Sequence, residues 1–308
     1  MDSEVVRAII LGVVQGIAEF LPISSSGHLV IADKLMEEFS GHGFGEAGLS
    51  LNVALHVGSL FSILAVFWRD ILGLWNQWRV CGLIILATIP VGLIGVLFED
   101  QINSAFTEPL FVGCALLLTA VLLLVGQKME SGSVVVPELP WLKALIIGLF
   151  QAVAIIPGVS RSGSTIAGGM LVGLERSAAA RFSFLLAIPP IGGAGLLKFL
   201  DLRDQPDIGI SVTALIAGMV TSFVVGYLSL NWLLKLISQR QLHRFAAYCA
   251  IVAVATIAWR LPTVTQGNLQ SESNQTPSAT VPSPGEDSEI FVLQPEPFFY
   301  STDEVRRF

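Results

Sequence analysis

The 308-residue chain is 53% hydrophobic and only 13% charged, whereas soluble domains carry about 25% charged residues. Long uncharged apolar runs recur along it, which is typical of a polytopic membrane protein. This composition excludes a soluble cytosolic enzyme, a disulfide scaffold and a basic protein that binds nucleic acid.

The first predicted element, residues 5–36, is hydrophobic but is interrupted by the sequence FLPISSSGH at 20–28. Proline, glycine and clustered serines break a helix and leave backbone groups that need other partners. At membrane depth, such a break is tolerated only where the backbone lines protein or a water cavity. We therefore predict a re-entrant helix–loop–helix hairpin. The alternative is a loop outside the membrane that joins two short spans.

Six uninterrupted segments are each near the ~20 residues that a spanning helix needs. They are residues 50–68, 80–98, 109–126, 182–200, 211–234 and 244–261. Between the third and the fourth lies a second interrupted segment, residues 142–173, which is broken by IPGVSRSGST at 156–165. The sequence thus predicts an all-α polytopic membrane protein with six spanning helices and two re-entrant hairpins.

The last predicted segment, residues 262–308, is rich in proline, serine and threonine. It holds seven acidic residues and two arginines, and so carries most of the net charge of −7. It lacks hydrophobic periodicity, so we predict a disordered acidic tail that follows a membrane domain at residues 1–261.

The two interrupted segments repeat each other. Residues 12–27 and 148–163 align without a gap, and both end in Ser-x-Ser-Gly. The identical pairs are Gly12/Gly148, Gln15/Gln151, Ala18/Ala154, Ser24/Ser160, Ser26/Ser162 and Gly27/Gly163. Three spans separate the hairpins, and an odd number of crossings places the second hairpin on the opposite membrane face. The halves, roughly 5–126 and 142–261, are therefore predicted to be inverted repeats whose broken tips meet near the midplane.

Loop charge orients this topology. One predicted face carries nine lysines and arginines, including Arg69, Arg79 and Arg181, and the other carries five, including Lys34 and Arg260. The positive-inside rule makes the first face cytoplasmic. Both termini and the first hairpin then open outward.

Polar groups inside membrane segments are costly and are therefore functional candidates. Arg161 lies among Ser160, Ser162 and Thr165, and a guanidinium surrounded by hydroxyls suits phosphate oxygens. A helix that starts near Ser164 and Thr165 would add its N–H groups and positive dipole end to an anion site. The alternative is an arginine that reaches the membrane surface, with serines that cap the helix.

The first break holds the candidates for acid–base chemistry. Glu19 follows Gln15 by four residues, so both project from one helix face, and Glu19 is a candidate general acid, general base or cation ligand. The alternative is a carboxylate that is neutral or paired with Arg161. The same break also contains three consecutive serines, Ser24 to Ser26, and His28.

A serine hydroxyl needs a base to attack phosphorus. His28 is a candidate for that base, for the nucleophile itself or for a base that activates water. The serines are equally expected as backbone caps. His56, inside a predicted span, either lines the site or is an ordinary core histidine. The sequence has no phosphate-binding loop of the GxxxxGK[ST] type and no HExxH.

Gln15-x-x-x-Glu19 followed by PISSSGH (22–28), together with PGVSRSGST (157–165), resembles the bacitracin-resistance family of undecaprenyl-diphosphatases. The resemblance covers residues 1 to about 261 and includes His56 to Ser59 and Phe67 to Arg69. Gln15 stands where some relatives have glutamate, so the pattern offers one sure carboxylate rather than two.

This resemblance implies an integral membrane phosphatase that converts undecaprenyl diphosphate to undecaprenyl phosphate, the lipid carrier for peptidoglycan and other envelope polymers. It implies stimulation by Mg²⁺ or Ca²⁺ (with Glu19 as the candidate ligand), a plasma-membrane location and the option of a homodimer. The implied catalytic residues are Glu19, Ser25, His28, Ser160 and Arg161. The residues expected to bind the substrate are Gln15, Ser24, Ser26, Ser162 and Thr165.

The rival hypothesis is a transporter or lipid flippase, because inverted repeats with broken helices also describe secondary transporters. Pure transport needs the anion site but no nucleophile. A non-catalytic scaffold ranks last, since it leaves a buried arginine and glutamate unexplained.

Overall fold

The computed structural model describes residues 3–40, 47–105, 108–129, 132–204, 209–237 and 240–275. Within these ranges the chain is helical, and the only strand-like pairing is an isolated bridge between Val134 and Leu174. Residues 1–265 form one compact unit. The α-helices are α1 (Ser3–Ala18), α2 (Ser25–Ser40), α3 (Ala47–Val66), α4 (Trp68–Gly73), α5 (Trp78–Leu97), α6 (Glu99–Ala105), α7 (Pro109–Lys128), α8 (Trp141–Val153), α9 (Arg161–Leu171), α10 (Arg176–Asp204), α11 (Val212–Ile237) and α12 (Leu242–Gln275).

Five helices are long and apolar enough to cross a membrane: α5, α7, α10, α11 and the part of α12 up to Pro262. They coincide with five of the six predicted spans, which confirms an all-α polytopic membrane protein. Both predicted interruptions fall in turns, at residues 19–24 between α1 and α2 and at residues 154–160 between α8 and α9. That each hairpin returns to its own membrane face stays a prediction.

The remaining predicted span, residues 50–68, is not one straight helix. Helix α3 ends at Val66, and the chain bends by 70° before α4 and the 3₁₀ turn Leu74–Asn76. Phe67 at the bend is 2% exposed and its ring stacks on Phe184 at 5.9 Å between centroids. Arg69 and Asp70 follow immediately, so a straight continuation would carry two charged groups further along an apolar span. The bend brings them to the surface instead.

The last helix is longer than predicted. The predicted boundary at 261 rested on the composition of the following residues and their lack of hydrophobic periodicity, but α12 continues through Pro262 to Gln275. A proline removes one hydrogen bond and crowds only the preceding turn, so a helix can resume beyond it. Helix α12 therefore extends beyond the predicted end of the membrane domain, while the disordered tail stays a prediction and residues 276–308 lie outside the described residues.

The first helix of each hairpin packs along a helix of the other half. Helix α1 lies on α11, and α8 lies on α5. The repeat-related glycines permit both contacts. A Cβ on Gly12 would stand 2.7 Å from the carbonyl oxygen of Gly218, and a Cβ on Gly148 would stand 2.5 Å from that of Ala87. This reciprocal packing is what a duplicated and inverted unit predicts.

An apolar cluster surrounds the two turns. Phe20 and Phe67 each contact the ring of Phe184, with centroids at 6.0 and 5.9 Å, and all three rings are buried. Lipid tails are as apolar as these side chains, so the cluster stabilises the fold mainly through van der Waals packing. Through Phe20 it packs against the turn of the first hairpin.

Charged groups that the sequence assigned to one face do come together. Arg181 donates to Asp70 at 3.0 Å, and Arg69 and Arg181 line one open depression of about 640 Å³. Arg260, assigned to the opposite face, pairs with Glu38 at 2.8 Å. These contacts agree with the predicted grouping of loops, while the leaflet that each group faces stays a prediction.

Candidate active site

Both hairpin turns end in a serine that caps the next helix. The Ser24 hydroxyl accepts from the Gly27 N–H at 3.2 Å, and the Ser160 hydroxyl accepts from the Gly163 N–H at 3.0 Å. Each cap also lies 3.3 Å from a second hydroxyl, that of Ser26 or Ser162. The expectation that serines serve as caps therefore holds for Ser24 and Ser160, and their chemical roles stay predictions.

Helix α9 begins at Arg161, earlier than the predicted start near Ser164 and Thr165. The reason is the Ser160 cap, which satisfies a backbone N–H that would otherwise have no partner. Arg161 is thus the first residue of the helix, and its guanidinium and the helix N-terminus lie at the same tip. Both favour an anion.

Glu19 is the centre of the polar cluster. Arg161 Nη2 donates to Glu19 Oε1 at 2.7 Å, and the Ser25 hydroxyl donates to Oε2 at 2.6 Å. Gln15 Nε2 also donates to Oε2, at 3.1 Å. The Glu19 side chain is 5% exposed and that of Arg161 is 17% exposed. The structure therefore joins the two predicted breaks through one short, buried ion pair.

His56 belongs to this cluster as well. Its Nε2 lies 3.5 Å from Glu19 Oε2, and its Nδ1 donates to the Asn52 carbonyl at 2.9 Å. The sequence left His56 undecided between the site and the core. The geometry places it beside Glu19, so an imidazole nitrogen lies next to the carboxylate.

A hydroxyl network holds the arginine from the other side. Arg161 Nη1 donates to the Ser183 carbonyl at 3.2 Å, and the hydroxyls of Thr165 and Ser183 lie 2.6 Å apart. Thr119 Oγ1 accepts from the Ser160 N–H and donates to the Gly158 carbonyl, both at 2.9 Å. Thr119 and Ser183 were missed from the sequence, where their only signal is a single hydroxyl in an apolar span.

Ser162 supports the tip of the first hairpin, since its hydroxyl donates to the Leu21 carbonyl at 3.2 Å. Gln15 is fully buried and also donates to the Ser59 hydroxyl at 3.2 Å. The side-chain amide oxygen of Gln15, Oε1, is buried and has no hydrogen-bond partner among the described residues. An unpartnered buried oxygen is costly, so this atom is available to a ligand donor, a water molecule or a cation.

His28 lies at the edge of the cluster rather than in it. Its Nδ1 lies 2.8 Å from the Ser24 carbonyl and its Nε2 lies 2.9 Å from the Tyr248 hydroxyl of α12. Within the described ranges, no hydrogen bond or ion pair joins its ring to Glu19 or Arg161. The role of His28 at the site therefore stays a prediction, and its ring contacts Ser24 and Tyr248 rather than Glu19 or Arg161. Tyr248 was not anticipated.

This structure defines a class: a polytopic membrane protein with a buried arginine–glutamate ion pair at the meeting point of two interrupted helical segments. The family described as bacitracin resistance protein BacA matches residues 8–255, which include both hairpins. The chain belongs to this family, as the motifs of the two turns predicted.

Proteins named undecaprenyl-diphosphatase are similar over nearly their whole length. That of Methanosphaera stadtmanae is 41% identical over 278 residues, which cover 82% of this chain and 97% of the relative. That of Rhodopirellula baltica is 44% identical over 249 residues, covering 80% and 95%. That of Bacteroides fragilis is 40% identical over 264 residues, covering 82% and 96%.

Proposed function

We propose that the protein is an integral membrane phosphatase that hydrolyses undecaprenyl diphosphate to undecaprenyl phosphate and inorganic phosphate. The observation that carries this proposal is the 2.7 Å ion pair between Glu19 and Arg161, which unites the two hairpins at one buried site. Membership of the BacA family and the printed names of its relatives support the substrate. The product would serve as a lipid carrier for envelope polymers, and the activity would confer bacitracin resistance.

The resting ion pair explains how substrate would engage. A guanidinium binds a phosphate at least as well as a carboxylate, because its fork of N–H donors matches either group. The terminal phosphate would replace Glu19 as a partner of Arg161, while the Ser183 carbonyl keeps the guanidinium in place. This exchange frees Glu19 for proton transfer at the moment the phosphate arrives.

The 2.6 Å hydrogen bond from Ser25 to Glu19 favours Ser25 over His28 as the nucleophile. In the first step the Ser25 oxygen would bond to the terminal phosphorus, its proton would pass to Glu19, and undecaprenyl phosphate would leave with the bridging oxygen. In the second step water would give a proton to His28 as its oxygen bonds to phosphorus, and the Ser25 oxygen would leave and recover its proton from Glu19 as inorganic phosphate is released. Arg161 would offset the charge on the transferring group throughout.

The residues present fit a divalent cation that arrives with the substrate. Among the described residues, no group of three or more His, Cys, Asp or Glu side chains could hold a metal ion by itself. Glu19 and the unpartnered oxygen of Gln15 supply two oxygen ligands, and Mg²⁺ typically binds through one or two carboxylates plus substrate phosphates. When bound, Mg²⁺ or Ca²⁺ would neutralise charge on the diphosphate oxygens.

The enzyme would be a multi-pass protein of the bacterial plasma membrane, with both termini and the site facing outward. Loop charge supports that orientation. A homodimer is a further expectation, which the mass of the detergent-solubilised protein would check.

The test is phosphate release from a long-chain polyprenyl diphosphate by the purified full chain in detergent and lipid, with Mg²⁺ or with chelator. Arg161→Ala should lose turnover, while Arg181→Ala is the matched control because its guanidinium pairs with Asp70 on the surface. Metal-dependent turnover that Arg161→Ala abolishes would support the proposal. A folded wild-type chain without turnover would contradict it and would favour the transporter hypothesis.

A further inference from the structure

The contact between His28 and α12 has no counterpart in the proposed chemistry. The His28 and Tyr248 rings stack with centroids 5.6 Å apart and planes 9° from parallel. The Tyr248 hydroxyl lies 2.9 Å from His28 Nε2. Stacking fixes the plane of the imidazole, and the hydrogen bond fixes its rotation within that plane.

The partner of the other ring nitrogen determines which nitrogen is reactive. Nδ1 lies 2.8 Å from the Ser24 carbonyl oxygen, which can only accept, so Nδ1 carries the proton. In the neutral ring, Nε2 therefore holds the only lone pair that can accept a proton or attack an electrophile. The Tyr248 hydroxyl donates to that lone pair.

We propose that Tyr248 is a positioning residue whose hydroxyl holds His28 Nε2 in the resting enzyme and occupies the place of the water that His28 activates. The separation of 2.9 Å is that of a water bound to its general base. This role rests on the proposed function, because only hydrolysis requires such a water. The tyrosine side chain is displaced once the Ser25 phosphoester has formed, and the water enters in its place.

The surrounding packing allows the side chain to move while its helix stays fixed. Helix α12 is held to α2 by the 2.8 Å pair between Arg260 and Glu38 and by apolar packing of Val30 and Ile31 against Ala253. Tyr248 itself is 42% exposed, so its ring has room to rotate. The helix thus delivers the hydroxyl to one defined position.

The test is the reactivity of Nε2 towards diethylpyrocarbonate, in which the lone pair attacks the reagent's carbonyl and ethyl carbonate leaves. The full-length protein in detergent is treated for a series of times, and modification of each histidine is quantified by mass spectrometry of its peptide. Tyr248→Phe keeps the stacked ring and removes the hydroxyl. His28 should then react roughly 3- to 10-fold faster, the range that one hydrogen bond is worth.

His243 serves as the internal standard and Tyr227→Phe as the matched control. Tyr227 is similarly exposed, at 43%, but lies on α11 away from His28. An unchanged His28 rate in Tyr248→Phe would overturn the proposal. So would an equal acceleration of His243, which would indicate general loosening.

Turnover separates this proposal from the proposed function. Tyr248→Phe should lower kcat roughly 3- to 10-fold, because without the hydroxyl one of the contacts that hold His28 Nε2 in the orientation that receives the water is lost, and should leave KM nearly unchanged. A wild-type chain without phosphate release would refute the phosphatase, while the reactivity of His28 would still test the tyrosine contact. Unchanged kcat with faster modification would contradict a positioning role.

Discussion

The two hairpins share the same helix-cap arrangement but carry different polar side chains at their tips. In both, a serine caps the second helix and accepts from the glycine N–H three residues on, with a second hydroxyl 3.3 Å away. The first hairpin carries Glu19 where the second carries Ile155, and Ser25 where the second carries Arg161. Ser25 and Arg161 begin their helices at matching positions, and both donate to the single carboxylate. The two tips therefore share a backbone arrangement, while the predicted acid–base and anion-binding roles fall on different tips.

The backbone also reaches the same cap by different routes. In the first turn the left-handed residue is Ser24, with φ of 71°, and in the second it is Gly158, with φ of 97°. The second route needs its glycine, because a Cβ there would lie 2.6 Å from the Val112 carbonyl oxygen. Equivalent hydrogen bonds therefore do not require equivalent backbone strain.

The largest expected difference between the two tips is that between Ser25 of the first and Ser160, the cap of the second. Ser25→Ala should reduce phosphate release to background while leaving thermal stability nearly unchanged, since its hydroxyl acts on Glu19. Ser160→Ala should keep measurable turnover and lower stability by about 1 kcal/mol, the worth of a helix cap. Initial rates and melting temperatures in detergent would check both. If Ser160→Ala is as inactive as Ser25→Ala, the prediction that Ser25 acts in catalysis while Ser160 mainly caps its helix is contradicted.

Arg161→Ser gives the second hairpin the residue of the first. We expect kcat/KM to fall on the order of 10²- to 10³-fold, the cost of losing one preorganised donor. The variant also leaves the Glu19 carboxylate buried without the Arg161 guanidinium, which costs about 3–5 kcal/mol of stability. Adding Glu19→Gln should restore much of that stability but no activity. Recovered turnover in the double variant would show that the ion pair is only structural.

Gly12→Ala and Gly148→Ala test the equivalence of the helix crossings. Each adds a methyl group against a facing backbone carbonyl, so both should destabilise the protein by a similar amount, about 1–3 kcal/mol. Gly193→Ala is the control, since no atom lies within 4 Å of its Cβ position. If only one of the two crossing variants is destabilised in thermal unfolding, the reciprocal packing is not equivalent.

The smallest expected difference concerns backbone strain at the caps. Ser24→Gly relieves a left-handed serine, whereas Ser160, with φ of −71°, has no such strain to lose. Both substitutions lose the same side-chain cap. Ser24→Gly should therefore be more stable than Ser160→Gly by about 1 kcal/mol. Equal melting temperatures would show that the first turn is not strained.

Local chemistry made the breaks and caps predictable. Proline, glycine and clustered serines disrupt a helix wherever they occur, so both interruptions could be placed before any tertiary contact was known. The repeat then predicted that Glu19 and Arg161 would meet, although they are far apart in sequence. Membrane composition alone located the five spans that the structure shows.

Tertiary packing decided what the sequence did not reveal. Tyr248, Ser183 and Thr119 are single polar groups in apolar helices, and nothing local indicates which helix faces which. His28 begins beside Ser25, but its ring bonds to α12, a partner set only by helix assembly. The bend at Phe67 likewise depends on a ring stack with Phe184, a residue of another helix.

The Glu19–Arg161 pair also constrains how the chain is made. The two residues are separated by 142 positions, so at roughly 5–20 residues per second Glu19 leaves the ribosome about 7–28 s before its partner. During that interval the carboxylate must stay hydrated or protonated, because an unpaired charge in lipid is costly. The first hairpin can therefore bury an ionised Glu19 only after the second has been synthesised, so formation of this ion pair depends on a residue in the second half of the chain.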